Sequence, residues 1–233
     1  MAEPCILYYI TDRTAFAPDE PTRRRLLLEK ISEAAAAGIN YIQLREKDLS
    51  TRALETLAKE AMQIITQQKL ATGHCPLTTA LLLNSRPDLA LAAQALGVHL
   101  RSHDLTPQQV RTIWQSAART CGTGALAREI SPPDPTISVS CHSPEEVFQS
   151  ASNQATLALF SPVFEKKDSP SSQPAGLKSL RQACFAKIPV LALGGITLEN
   201  SQRCLDAGAA GIAAIRLFQQ NDIATLVHQL RNS

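Results

Sequence analysis

Gln43-Leu44-Arg45-Glu46-Lys47 is the segment where residue type and spacing first suggest chemistry. In an extended chain, residues two apart share a face, so Gln43, Arg45 and Lys47 point one way and Leu44 the other. Cations gathered on a buried face are costly without an anion. Two arrangements satisfy them: an anionic ligand, or a row of salt bridges to carboxylates on neighbouring strands. Two later segments favour a phosphate. Gly194-Gly195 directly follows the apolar run Val190-Leu191-Ala192-Leu193, and Thr197 opens a helix behind it. Backbone N–H groups at a glycine pair and a helix start form an anion cradle, although a plain tight turn needs the same residues. The run Gly211–Ile215 ends at a second candidate phosphate loop, carrying Ile215 and Arg216.

Other candidates lie at the ends of apolar runs. Asn84-Ser85 follows Leu81-Leu82-Leu83, and Asp104 follows Gly97-Val98-His99-Leu100. Asp104 suits Mg²⁺ shared with ligand phosphates, and equally an N-cap for the helix opening at Pro107. His99 lies within a strand and His103 in the loop after it, so the pair reads as structural rather than metal-binding. In Ser140-Cys141-His142, alternation puts Ser140 and His142 on one face and Cys141 on the other. Ser140 and His142 are then available for phosphate hydrogen bonding or proton transfer. No G-x-S-x-G elbow occurs, and a covalent cysteine mechanism is disfavoured.

These residues need elements that bring distant segments to one place. Short apolar runs alternate with helical periodicity along the chain: strands at Ile6–Ile10, Tyr41–Arg45, Leu81–Leu83, Gly97–Leu100, Ile137–Cys141, Thr156–Phe160, Pro189–Leu193 and Gly211–Ile215. Gly38 closes the first helix as a C′ glycine, and Pro107 and Pro144 suit first helical turns. Eight strand–helix units across residues 1–233 predict a single-domain (β/α)₈ TIM barrel. A doubly wound sheet would instead show a glycine-rich first turn, which is missing. Each candidate group then falls at the C-terminal mouth, and the loop Ser161–Ala175 is placed to cover it.

Composition narrows the function classes. The chain is 44% hydrophobic and 19% charged with a net charge of +2, which argues against a nucleic-acid surface built on bulk positive charge. Arg23-Arg24-Arg25 opens a helix and reads as a solvated face. No apolar stretch is long enough to span a membrane, and the N-terminus shows no signal-peptide pattern. Six scattered cysteines without a C-x-x-C pair read as reduced thiols. A cytoplasmic protein with small-molecule partners is expected, and a homodimer is left open.

Taken in order, Ile42-Gln43-Leu44-Arg45-Glu46-Lys47, Asn84, Gly97-Val98-His99-Leu100 with Asp104, Ser140-Cys141-His142-Ser143, Pro162-Val163-Phe164 and Gly194-Gly195-Ile196-Thr197 resemble the thiamine phosphate synthase family. A thiazole tautomerase branch shares this fold and much of the pattern. The resemblance implies a transferase that joins hydroxymethylpyrimidine pyrophosphate to thiazole phosphate, releasing pyrophosphate. It assigns Arg45 and Lys47, with Gln43, Asn84 and Ser140, to the pyrophosphate substrate. Asp104 takes Mg²⁺, held weakly and with the help of substrate, with Ser85 beside it. Gly194 and Gly195, with Ile215 and Arg216, take the thiazole phosphate, and Lys166, Lys167 and Gly176 border it from the preceding loop. Lys47, Ser140 and His142 are the candidate catalytic groups. Three departures stand out: Ser85 replaces a second aspartate, Arg101-Ser102-His103 replaces a segment with glycine and glutamine, and Glu165-Lys166-Lys167 replaces a threonine-bearing loop. A tautomerase working through His142 and a non-catalytic thiazole-phosphate-binding barrel are the alternative readings.

Overall fold

The computed structural model describes residues 5–72, 79–120, 133–165 and 173–231. Eight parallel strands close into a barrel in simple sequence order: β1 (Ile6–Ile10), β2 (Tyr41–Leu44), β3 (Ala80–Asn84), β4 (Gly97–Leu100), β5 (Thr136–Cys141), β6 (Leu157–Phe160), β7 (Val190–Ala192) and β8 (Gly211–Ala214). Between and after them run α1 (Glu20–Ala36), α2 (Thr51–Thr72), α3 (Pro87–Ala92), α4 (Pro107–Thr120), α5 (Pro144–Ser152), α6 (Gly176–Ala183), α7 (Leu198–Asp206), the short α8 (Arg216–Gln219) and α9 (Ile223–Arg231).

Local chemistry sets where the helices begin. Asp19 accepts the Thr22 N–H at 3.0 Å and starts α1, and Ser143 accepts from Glu146 at the start of α5. Thr197 and Asn200 form a reciprocal capping box that aims α7. Gly38, at φ 80°, ends α1 in the left-handed conformation that a side chain would disfavour.

Alternation along each strand then sorts the side chains into two cores. Leu7, Tyr9, Ile42, Leu44, Leu81 and Leu83 pack outward against the helices. Tyr8, Ile10, Leu82, Leu157, Leu159, Leu191 and Ala213 pack in the lumen. The strand pairing Ile10↔Gln43↔Leu82 puts Gln43 in the inward set. The expected strands agree with the observed ones to within about two residues.

Two short elements lie outside the sequence expectation: a 3₁₀ turn at Arg13–Ala15, and α8 directly after β8. Arg13 explains the first. It is buried, and its guanidinium meets Glu20 at 2.9 Å, Glu46 at 3.2 Å and Asp48 at 2.6 Å. Glu46 also accepts the Thr11 hydroxyl and the Arg13 N–H, and Thr11 Oγ1 accepts the Arg45 N–H at 3.0 Å. This cluster ties the loop after β1 to the loop after β2 and fixes the backbone that carries Arg45.

Candidate active site

A cavity of about 850 Å³ opens at the C-terminal mouth of the barrel. Gln43, Arg45 and Asn84 line one side, Ser140 and His142 another, and Gly194, Gly195, Ile215 and Arg216 the opposite side. Ile10, Leu159, Leu193 and Ala213 form an apolar floor between them. The topology therefore gathers most of the expected residues. Lys47, Ser85, Asp104 and Gly176 are not part of the cavity wall, and Lys166 and Lys167 lie outside the described residues.

Lys47 departs from the expectation for a simple reason. Strand β2 ends at Leu44, so alternation carries as far as Arg45 and then stops; Lys47 sits exposed in a turn at the rim. It still feels the mouth. Its ammonium is pushed below the usual lysine range first by Arg45, then by partial burial and by Arg101. Arg45 forms no ion pair among the described residues. Its carboxylate neighbour Glu46 points away into the Arg13 cluster. Among the described residues, the row of salt bridges left open by the sequence is not formed.

The lumen below holds a chain of buried polar groups. Tyr8, Gln43, His99 and Ser138 are all buried. Tyr8 Oη donates to Gln43 Oε1 at 3.2 Å, and Gln43 Nε2 donates to Asn84 Oδ1 at 2.8 Å. A hydroxyl has one proton, so Tyr8 accepts from Ser138 across their 2.9 Å contact. Ser138, its proton spent, accepts from His99 Nδ1 at 2.9 Å. His99 is thereby the Nδ1–H tautomer, and its Nε2 accepts the Ser140 hydroxyl at 2.8 Å. Asn84 continues the chain to Ser85 at 3.1 Å, and Ser85 donates to Asp104 at 2.5 Å. Every donor in the series points the same way, from Ser140 to the Asp104 carboxylate.

This order decides what Ser140 can do. Ser140 beside His99 looks like a nucleophile beside its base. Burial, with help from Arg45 and Arg101 and against the opposing Asp104 charge, drops His99 to about 3. It therefore stays neutral and cannot take the serine proton at neutral pH. No carboxylate supports His99 either, since its other nitrogen meets Ser138. Ser140 presents an acceptor oxygen to the cavity, not an activated nucleophile. Cys141 faces outward, with burial raising its thiol to about 11. His142, by contrast, bonds through Nδ1 to the Ser161 carbonyl at 2.6 Å, so that nitrogen is the donor and Nε2 is left as an acceptor.

The His99 value has a measurable consequence. Unfolded, this imidazole titrates near 6.5; folded, near 3. Between those values the unfolded chain binds a proton that the folded chain refuses. The associated stability is therefore complete above about pH 6.5 and is lost as pH falls through 3, on the order of 5 kcal/mol in all. His99→Gln cannot titrate, so its stability should fall less across this window. Urea melts of both proteins between about pH 7 and pH 4 measure the difference; parallel curves would show that His99 does not carry it.

On the far side of the cavity, Gly194 (φ 94°) and Gly195 (φ 67°) take left-handed conformations. A Cβ on Gly195 would lie 2.5 Å from the Glu165 carbonyl oxygen, so no side chain fits there. Neither glycine N–H has an acceptor among the described residues, which leaves two donors at the cavity wall. Arg216, at the first turn of α8, faces the same space. The unexpected helix α8 is thus what positions the second arm of the anion cradle.

Ser85 and Asp104 do come together, but as a donor set they do not fit a resident Mg²⁺. Mg²⁺ needs near-octahedral oxygen ligands with lone pairs to give. Ser85 Oγ already accepts from Asn84 and from Arg101 Nε, at 3.0 Å, while its proton lies on Asp104. Asp104 Oδ2 accepts from Ser85 and from the Arg101 N–H at 2.7 Å, and Oδ1 from Arg101 Nη2 at 3.1 Å. Burial pushes the Asp104 carboxyl up, but these bonds outweigh it and hold it below the usual range. The expected metal pair is instead a carboxylate engaged through both oxygens, with a guanidinium seated on it. Among the described residues no three His, Cys, Asp or Glu side chains gather as a metal site would require.

Comparison with known proteins places this geometry. The profile of the family described as thiamine monophosphate synthase matches residues 7–123 and 119–218. The chain belongs to the thiamine monophosphate synthase family. The thiamine-phosphate synthase of Syntrophomonas wolfei is 33% identical over 230 residues, covering 97% of this chain and 94% of that protein. That of Clostridium novyi is 31% identical over 220 residues, covering 93% and 91%. The solved thiamine phosphate pyrophosphorylase of Pyrococcus furiosus superposes with a TM-score of 0.73 at 26% identity, covering 97% of this chain and 94% of its own. Within this synthase-family barrel, Tyr8 and Ser138 are wall-supporting residues that the sequence does not single out, His99 reads there as structural, and Arg101 stands out only as a departure from the family pattern, without a place at the site. Strand alternation could have found His99, two residues from Arg101 on an inward face. Its partners Tyr8 and Ser138 come from strands far away in the chain.

Proposed function

We propose that this chain is a thiamine phosphate synthase, a transferase that joins hydroxymethylpyrimidine pyrophosphate to thiazole phosphate and releases pyrophosphate. The observation that carries the reading is one cavity with a cation on one wall and a glycine pair and a second arginine on the opposite wall. Arg45, which pairs with no carboxylate among the described residues, faces the Gly194–Gly195 pair and Arg216 across an apolar floor. A substrate pair with one phosphorylated end each fits that layout.

The chemistry asks little more of the protein. The C–O bond of the pyrimidine methylene breaks and its electron pair leaves with pyrophosphate. The lone pair of the thiazole nitrogen then forms the new C–N bond. Arg45 stabilises the charge growing on the leaving group, the largest contribution a site of this kind can make, and Lys47 adds to the positive field from the rim. Asn84 and Ser140 orient the pyrimidine end, and the glycine N–H groups with Arg216 hold the thiazole phosphate so that its nitrogen faces the methylene. Ile10, Leu159, Leu193 and Ala213 keep water from the cationic carbon, where it would give the alcohol instead. Mg²⁺ would then enter carried on pyrophosphate, and none of these steps is routed through it.

No observation separately favours the tautomerase or the non-catalytic barrel. Proton transfer on a thiazole has no use for the cationic wall, and a passive binder has no use for two. Incubating the protein with both substrates and following thiamine phosphate and pyrophosphate tests the reading. Equal release of the two products is expected. Binding of thiazole phosphate without product, or tautomerisation that His142→Ala abolishes, would overturn it. Among the described residues, no helix is long and apolar enough to cross a membrane.

A further inference from the structure

We propose that Arg101 is a further substrate-contacting residue, a fixed cation standing where a divalent metal would otherwise be needed, so that the protein grips pyrophosphate without Mg²⁺. This rests on the reading above that pyrophosphate lies against Arg45.

The geometry comes first. Arg101 lies just past the end of β4, on the cavity wall that also holds Arg45 and Asn84. Its Nε and Nη2 edge meets Ser85 and Asp104, and its own backbone N–H adds a third bond to the same carboxylate. That leaves Nη1 with no acceptor among the described residues, on a side chain that is 60% exposed at the mouth. One edge of the planar guanidinium is anchored, and the other is open toward the cavity. An anchored planar fork is well suited to paired phosphate oxygens.

Charge points the same way. Three cations, Arg45, Lys47 and Arg101, influence one another at this rim, and the depressed Lys47 ammonium records their repulsion. Two carboxylates lie among them: Asp104, already engaged by Arg101, and Asp12, which lines the same cavity and offsets part of the repulsion at Lys47. A free Mg²⁺ at Asp104 would have to displace Arg101 from the one carboxylate it pairs with among the described residues, and enter a field of like charge. A pyrophosphate anion relieves that field on arrival. The pairing of Ser85 with Arg101 follows from this: a neutral hydroxyl leaves room for the guanidinium, and the guanidinium supplies the positive charge.

Calorimetric titration of pyrophosphate into the protein, in EDTA and in Mg²⁺, tests the proposal. The wild-type protein should bind in EDTA, with Mg²⁺ changing the Kd by less than about 3-fold. Arg101→Ala should weaken binding in EDTA by about 10- to 100-fold, the range for a charged hydrogen bond. Arg101→Lys keeps the charge without the fork and should fall between them. A thermal melt of each variant confirms folding at this exposed position. The double variant Ser85→Asp, Arg101→Gly should take up Mg²⁺ on its own where the wild-type protein takes up none. Pyrophosphate binding that needs Mg²⁺, in a protein that still makes thiamine phosphate, would overturn this inference and leave the function standing. Equal affinity of wild type and Arg101→Ala in EDTA would overturn it too. No binding and no product under either condition would overturn both.

Discussion

Arg45→Ala is expected to fold like the parent and to lose both pyrophosphate binding and turnover, with kcat down about 10²- to 10³-fold. The direction of the stability change is the informative part. Arg45 has no carboxylate partner among the described residues and shares its rim with Lys47 and Arg101. Removing it subtracts repulsion, so the ligand-free variant should melt at or slightly above the parent. If Arg45 were half of a buried ion pair, the same change would cost on the order of 3–5 kcal/mol. Adding pyrophosphate separates the cases further: the parent should be stabilised by the ligand and Arg45→Ala should not. Melts with and without pyrophosphate, alongside initial rates, decide it. A variant that still gains stability from pyrophosphate as the parent does would remove Arg45 from the site.

The neighbouring arginine should behave in the opposite way. Arg13→Ala strips the guanidinium from Glu46, whose side chain has no exposed surface, and from Glu20 and Asp48. A buried carboxylate losing its counter-charge should cost on the order of 3–5 kcal/mol. The Thr11 hydroxyl and the main-chain N–H at position 13 still reach Glu46, so the loss stops short of a bare buried charge. Pairing the change with Glu46→Gln should return part of the stability, because the orphaned charge is gone. Activity should fall as well, since Thr11 links this cluster to the Arg45 backbone. Urea denaturation of the single and double variants provides the cycle. A single variant within about 0.5 kcal/mol of the parent would show that the cluster does not hold the two loops.

These two arginines also mark how far the sequence could be read. The eight strands and the inward position of Gln43 follow from alternation and apolar periodicity, which are local signals. Arg45 inherits its direction from the same strand. Lys47 does not, because a strand that ends at Leu44 no longer dictates a face two residues later. Nothing in the sequence singles out Arg13: Glu20 lies seven residues away, but Glu46 and Asp48 are brought to it only when the loops after β1 and β2 meet. Asp104 was read as either a helix cap or a metal ligand. The structure answers with a third role, as the seat of Arg101, which depends on a turn in which Ser85 adopts φ 59°. His99 was read as a satisfied histidine, and both its nitrogens are bonded; the location of those bonds on the cavity wall needed the pairing of β4 with β5.

The one-way order of protons through the lumen bears on which changes this protein can accept during evolution. Ser140, His99, Ser138, Tyr8, Gln43, Asn84 and Ser85 each pass a hydrogen to the next, so no member can reverse without its neighbours reversing too. A substitution in the middle, such as Tyr8→Phe, strands an acceptor on one side and a donor on the other. A substitution at the open end, at Ser140, strands only one. Tolerance should therefore be graded along the series, lowest at the barrel centre and rising toward the cavity mouth. Drift can retune how the substrate is met at the rim, while the lumen that sets the direction of every hydrogen bond has to change as a block.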